Sequence, residues 1–140
     1  MAGLSRAEKI LFAAILLLFL FFATAWISLP GPQQDELLHL EVLLPALRPA
    51  VFFSLKTHQH RLPLMVMSYV GALKGWLLWL WFQVVPMGVI GYRAFGILVG
   101  VTAVFLIFRF VRQHYGPAVA LLTTGLVATD PTFVHTIRID

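Results

Sequence analysis

The sequence predicts an all-α membrane protein, with about three transmembrane helices and amphipathic interfacial helices in its first outer loop. Three observations carry that prediction. Of the 140 residues, 60% are hydrophobic and only 11% charged, at a mean hydropathy of +0.90, whereas soluble domains run roughly 45–50% apolar and about 25% charged. An uncharged run from Ile10 to Leu29 holds 20 residues, and as a helix it is roughly 30 Å long, the thickness of a bilayer's hydrocarbon core. The basic residues stand singly between apolar runs and form no patch, so the net charge of +4 and the pI of about 10.0 speak for membrane flanks and against nucleic acid as a partner. The absence of cysteine excludes a disulfide framework and a thiolate metal site.

The first span is Ile10–Leu29, with Arg6 and Lys9 before it and Trp26 at its far end. Basic flanks favour the cytoplasmic side and tryptophan the interface, so the N-terminus is expected in the cytoplasm. Ala23-Thr24-Ala25 also resembles a signal-peptide cleavage site, although the apolar run is longer than a signal core. Pro30-Gly31-Pro32 stops the helix, because proline cannot continue it and disfavours helix in the residue before. An outer loop over residues 30–91 follows. Within it, Leu37, Leu40, Leu43 and Leu44 give Asp35–Leu44 the stripe of a short amphipathic helix lying on the membrane surface.

Leu62–Ile90 carries one charge, Lys74, near its middle. A single span there would bury that lysine at mid-bilayer, at about 2.5–3.5 kcal/mol. It would also place Arg109 and Arg112 outside, against the positive-inside tendency. Leu62–Gln83 is therefore expected as interfacial or partly inserted helix, with Lys74 and Trp76, Trp79 and Trp81 at headgroup depth. The second span is Ala94–Phe108, extended outward to Tyr92. Arg109, Arg112 and the Gln113–Pro117 turn make a tight cytoplasmic hairpin, and residues 118–129 return as the third span. Asp130-Pro131 closes it, and residues 130–140 begin a second outer loop. Gly96 and Gly100 form a GxxxG step, read as close helix packing within the chain.

The reactive groups gather in the outer loops. Asp35-Glu36 sits just past the first span, where a carboxylate stays ionised yet faces a membrane substrate, as general-base work on an acceptor hydroxyl requires. Asp140 recurs past the third span. Lys56, Arg61 and Lys74 suit either a phosphate or headgroup anchoring. His39, His58 and His60 are compatible with a divalent metal, but an H-x-H pair in a loop does not define a dedicated site, so no metal or other cofactor is assigned.

The order of these features resembles a known family. It runs from the first span to Asp35-Glu36, then His60-Arg61-Leu62-Pro63-Leu64, then Met67–Lys74, Arg93 before a span, Ala128-Thr129-Asp130-Pro131-Thr132-Phe133, and Arg138-Ile139-Asp140. This is similar to the N-terminal part of the polyprenyl-phosphate-dependent, GT-C-fold membrane glycosyltransferases, in the protein O-mannosyltransferase and aminoarabinose-transferase branch. The resemblance implies transfer of a sugar from a polyprenyl-phosphate donor to a protein or glycan acceptor on the outer face of the plasma (inner) membrane. It implies that Asp35 is the base with Glu36 its neighbour, that Asp140 is the second-loop acidic residue, and that Lys74 or Arg61 meets the donor phosphate. Arg61-Leu62-Pro63-Leu64 departs from the lysine-proline-proline-leucine string of the aminoarabinose branch. Because such enzymes are much longer, the resemblance also implies a partial enzyme, inactive alone.

Two other readings stand beside it. A small non-catalytic multi-pass protein, a partner subunit or assembly factor, would use the polar loop as an interaction surface. A transporter would want ionisable groups inside its spans, and apart from Lys74 the spans as read carry none.

Overall fold

A computed structural model describes residues 4–25, 27–28, 53–56, 61–65 and 73–139. The chain divides into two compact units, Met1–Leu29 with Arg93–Asp140, and Pro30–Tyr92. The protein is of the all-α membrane class, with one short two-stranded ribbon in its second unit. Helices α1 (Arg6–Thr24) and α3 (Val89–Tyr115) are each long and apolar enough to cross a bilayer, and α4 (Pro117–Thr129) with α5 (Pro131–Ile139) makes a third candidate, bent by 63° at its break.

In the first unit, α1 starts at a capping box. The Ser5 hydroxyl accepts from the Glu8 N–H and a Glu8 carboxylate oxygen accepts from the Ser5 N–H, each at 3.2 Å, which satisfies two of the first-turn donors. The helix ends at Thr24, whose hydroxyl donates to the Leu20 carbonyl at 2.6 Å; the backbone turns extended at Ala25. α1 and α3 run antiparallel in a register that holds over their length. Glu8 meets Arg112 at 3.4 Å, Phe12 stacks on Phe108 at 4.3 Å, and Ile27 receives a bond from Arg93. Each of these pairs sums to 120 in residue number, as two straight helices side by side require.

Gly116, at φ +85°, makes the turn between α3 and α4. A positive φ costs glycine nothing, and Pro117 opens α4 where a missing N–H is harmless. α4 therefore runs beside α1 in the same direction. Ala120, Thr124 and Ala128, four residues apart and fully buried, form a small-residue face that admits α1 closely. Phe12, Phe19 and Ala23 of α1, Ile97, Val104 and Phe108 of α3, Ala120 and Ala128 of α4, and Val134 of α5 make one apolar core.

Asp130 breaks α4 and restarts the chain as α5, accepting the Phe133 N–H at 2.7 Å. α5 folds back onto α3, and the GxxxG step is the landing. A Cβ on Gly96 would collide with the Ile137 carbonyl, and one on Gly100 would lie 2.6 Å from Ile137 Cγ2 and 2.7 Å from Phe19 Cζ. The glycines thus serve packing within the chain.

In the second unit, β1 (Phe53–Lys56) and β2 (Arg61–Met65) pair antiparallel, Lys56 opposite Arg61 and Leu55 opposite Leu62, with an irregularity at Phe53/Ser54. α2 (Leu73–Trp81) follows. Interfacial helix was expected over Leu62–Gln83; among the described residues of that stretch, 61–65 are instead a strand and Leu73–Trp81 are helix. Pro63 is the local reason. It would break a helix, but in a two-stranded ribbon every strand has a free edge where a missing N–H is tolerated. No continuous helix runs from 62 to 90, since turns occupy residues 82–84.

Candidate functional site

Of the residues expected to carry chemistry, Asp35, Glu36 and Asp140 lie outside the described residues, as do His39, His58 and His60. Arg61 opens β2, opposite Lys56 across the ribbon, so two basic positions face each other there. Among the described residues, no three His, Asp or Glu come together as metal ligands would.

Lys74 sits in the first turn of α2, half-buried. Its ammonium lies over the Tyr92 ring, 5.0 Å from the centroid, within reach of the ring quadrupole. A second tie fixes the same corner: Trp81 Nε1–H donates to the Gly91 carbonyl at 2.9 Å. Gly91 also packs tightly on the turn before α3, because a Cβ there would strike the Pro86 carbonyl. Trp76 and Trp79 project from α2 at 38% and 55% exposure, among exposed Leu73, Leu77 and Leu80. Tryptophan and leucine on the outer side of a short helix, with a lysine at its start, suit the boundary between hydrocarbon and water. Lys74 is therefore held at one place by aromatic contact, on an element whose exposed side is apolar.

In the first unit the sequence reading missed one feature. Arg93 was read as the marker of a span's outer end; its side chain is fully buried. Its Nη1–H donates to the Ile27 carbonyl at 2.7 Å, tying the chain just past α1 to α3. The only sequence signal was a single arginine opening an apolar run, which looks the same whether the guanidinium points to water or inward. Glu8, the one acidic residue read as cytoplasmic, bonds Arg112 across α1 and α3 at the opposite end. Asp130, Thr132, His135 and Thr136 are exposed along the break and the outer side of α5.

No curated protein and no solved structure matches the chain. A family model described as dolichyl-phosphate-mannose-protein mannosyltransferase matches residues 70–140. That stretch is 71 of the 140 residues, and it holds Lys74, Arg93, the glycine step and the broken α4–α5 pair. By that match, over more than half of its length, the chain belongs to the dolichyl-phosphate-mannose-protein mannosyltransferase family of membrane glycosyltransferases.

Proposed function

We propose that the chain takes part in moving a sugar from a polyprenyl-phosphate-linked donor to a protein or glycan acceptor on the outer face of the plasma membrane, with the N-terminus in the cytoplasm. The family match over residues 70–140 is the observation that carries this reading. In it, Asp35 removes the proton from the acceptor hydroxyl as the hydroxyl oxygen attacks the sugar's anomeric carbon, and the bond to the donor phosphate breaks. Glu36 stands next to it in the sequence, and Asp140 supplies a second carboxylate. Lys74 or Arg61 meets the charge that develops on the departing polyprenyl phosphate. The position of Lys74 at the start of a tryptophan-bearing helix supports this assignment, because lysine and tryptophan together suit the headgroup level, where a lipid phosphate lies.

The test is sugar transfer in membranes of cells expressing the complete gene, with a radiolabelled polyprenyl-phosphate mannose as donor. Asp35→Asn keeps size and polarity but removes the base. It is expected to lower kcat by about 10²–10⁴-fold, the contribution typical of a positioned general base, with the protein level unchanged. Full activity in that variant would overturn the role of Asp35. No transfer from any polyprenyl-phosphate sugar by the unaltered protein would overturn the function.

A further inference from the structure

Phenyl rings fill the seam between α1 and α3 at its basic end. Phe12 of α1 stacks on Phe108 at 4.3 Å and meets Phe105 at 6.3 Å, centroid to centroid. α4 and α5 cover one side of this seam: Ile15 lies against Gly125 of α4, Phe19 against Phe133 and Gly100 against Ile137 of α5. The residues on the other side are a different set. At 3.6 residues per turn, Lys9 lies about 120° round α1 from Ile15, and Arg109 about 180° round α3 from Gly100. Both are exposed. In the register of the two helices they differ in level by about two residues, or about 3 Å.

On this open side the seam is a groove with two walls. Arg6, Lys9, Ala13, Leu16 and Leu20 follow one another along α1 at spacings of three and four residues, and Leu98, Phe105 and Arg109 share one face of α3. Leu16, Leu20 and Phe105 are half-buried and form the floor; Ala13 and Leu98 are exposed at the rims. The Arg109 guanidinium lies over the Phe105 ring, 6.0 Å from its centroid, at the mouth. From Lys9 to Leu20 the groove runs about 16 Å, close to half of a hydrocarbon core of about 30 Å, the depth of one leaflet. Among the described residues, Glu8 is the only carboxylate at this end. It is held by Arg112 at 3.4 Å and by the Ser5 N–H. Arg6, Lys9 and Arg109 thus bring three positive charges to the mouth of an apolar groove, with no described carboxylate to answer them.

We propose that the α1–α3 groove is a binding site for an anionic phospholipid, with the phosphodiester between Lys9 and Arg109 and one acyl chain along Ala13, Leu16 and Leu20. The uncompensated cations select a negative headgroup. The apolar floor, one leaflet deep, selects a lipid over a free anion. The site uses neither Lys74 nor Arg61, and the proposal does not rest on the transferase reading.

Native mass spectrometry of the complete gene's product in neutral detergent counts bound lipid and gives its affinity. Phosphatidylglycerol is expected to bind at least tenfold more tightly than phosphatidylcholine. A basic residue near an anionic surface contributes about fivefold in affinity, so Lys9→Gln with Arg109→Gln should weaken phosphatidylglycerol about 20-fold and leave phosphatidylcholine unchanged. Ala13→Trp fills the groove, keeps every charge, and should weaken phosphatidylglycerol at least fivefold. An unchanged thermal unfolding midpoint in phosphatidylcholine nanodiscs checks that each variant is folded. Equal affinity of the unaltered protein for the two lipids overturns the proposal, as does full phosphatidylglycerol binding by the double variant. Full binding by Ala13→Trp would leave charge adhesion without a groove and overturns the site. Displacement of phosphatidylglycerol by inorganic phosphate, beyond that by chloride at equal ionic strength, would make this a free-anion site and overturns the lipid assignment.

Discussion

At the scale of the residue, Arg93 is the most consequential side chain of the first unit. A guanidinium with no solvent exposure has lost its hydration, and the 2.7 Å bond to the Ile27 carbonyl returns part of it. Arg93→Met keeps the length of the side chain and removes the donor, leaving the partly buried Ile27 carbonyl without that partner. The cost expected is about 1–3 kcal/mol, read as a lowered midpoint of thermal unfolding in detergent. Arg93→Lys should recover part of it, since an ammonium still donates but lacks the planar fork. An unchanged midpoint in Arg93→Met would show that the bond contributes nothing. This residue also shows where sequence reading stops. The sequence places a charge at position 93, but the acceptor is 66 residues away in the chain, and a backbone carbonyl has no signature among side chains. Lys74 is similar: its headgroup depth was an expectation from neighbouring tryptophans, while its contact with Tyr92 depends on a turn that no periodicity announces.

At the scale of the element, legibility follows hydrophobic periodicity and turn chemistry. α1, α3 and α4 could be anticipated because long apolar runs, Arg-rich turns and Gly116-Pro117 act locally. The β1–β2 ribbon could not, since alternation over Arg61–Met65 is short and a proline lies within it. α5 was hidden for a different reason. Asp130-Pro131 stops one helix, but an aspartate followed by proline is also how a helix begins, and both happen here. The glycine step depends on this second helix for its purpose. Gly96→Ala places a methyl against the Ile137 carbonyl, and backbone on both sides cannot yield, so a loss of about 1–3 kcal/mol is expected from overpacking. Gly125→Ala is the matched control. Its methyl would meet Ile15 at ordinary contact distance, so helix propensity should leave stability equal or up to about 1 kcal/mol higher. Thermal unfolding of the two variants in one detergent checks the contrast, and equal losses would show that α5 does not pack on Gly96.

At the scale of the whole molecule, the proposed topology makes opposite predictions for two loops. The Glu8–Arg112 pair fastens the end of the α1–α3 hairpin that carries Arg6, Lys9 and Arg109. Even a solvent-screened ion pair of this kind contributes about 0.2–1 kcal/mol, and this partly buried one is still too weak to orient a protein in a bilayer. Orientation comes instead from the asymmetry of basic residues, and the four on this side belong to two elements whose register holds them at one level. α1 and α3 must then carry their other ends, Ile27 and Arg93, to the same far side. A cysteine replacing Gln113 is therefore expected to be labelled by an impermeant reagent only after the membrane is opened, and a cysteine replacing His58 in sealed cells. Labelling of both positions from outside would break the hairpin assignment. Labelling of His58→Cys only from inside would invert the molecule, and with it the side on which Asp35, the proposed base, meets an acceptor.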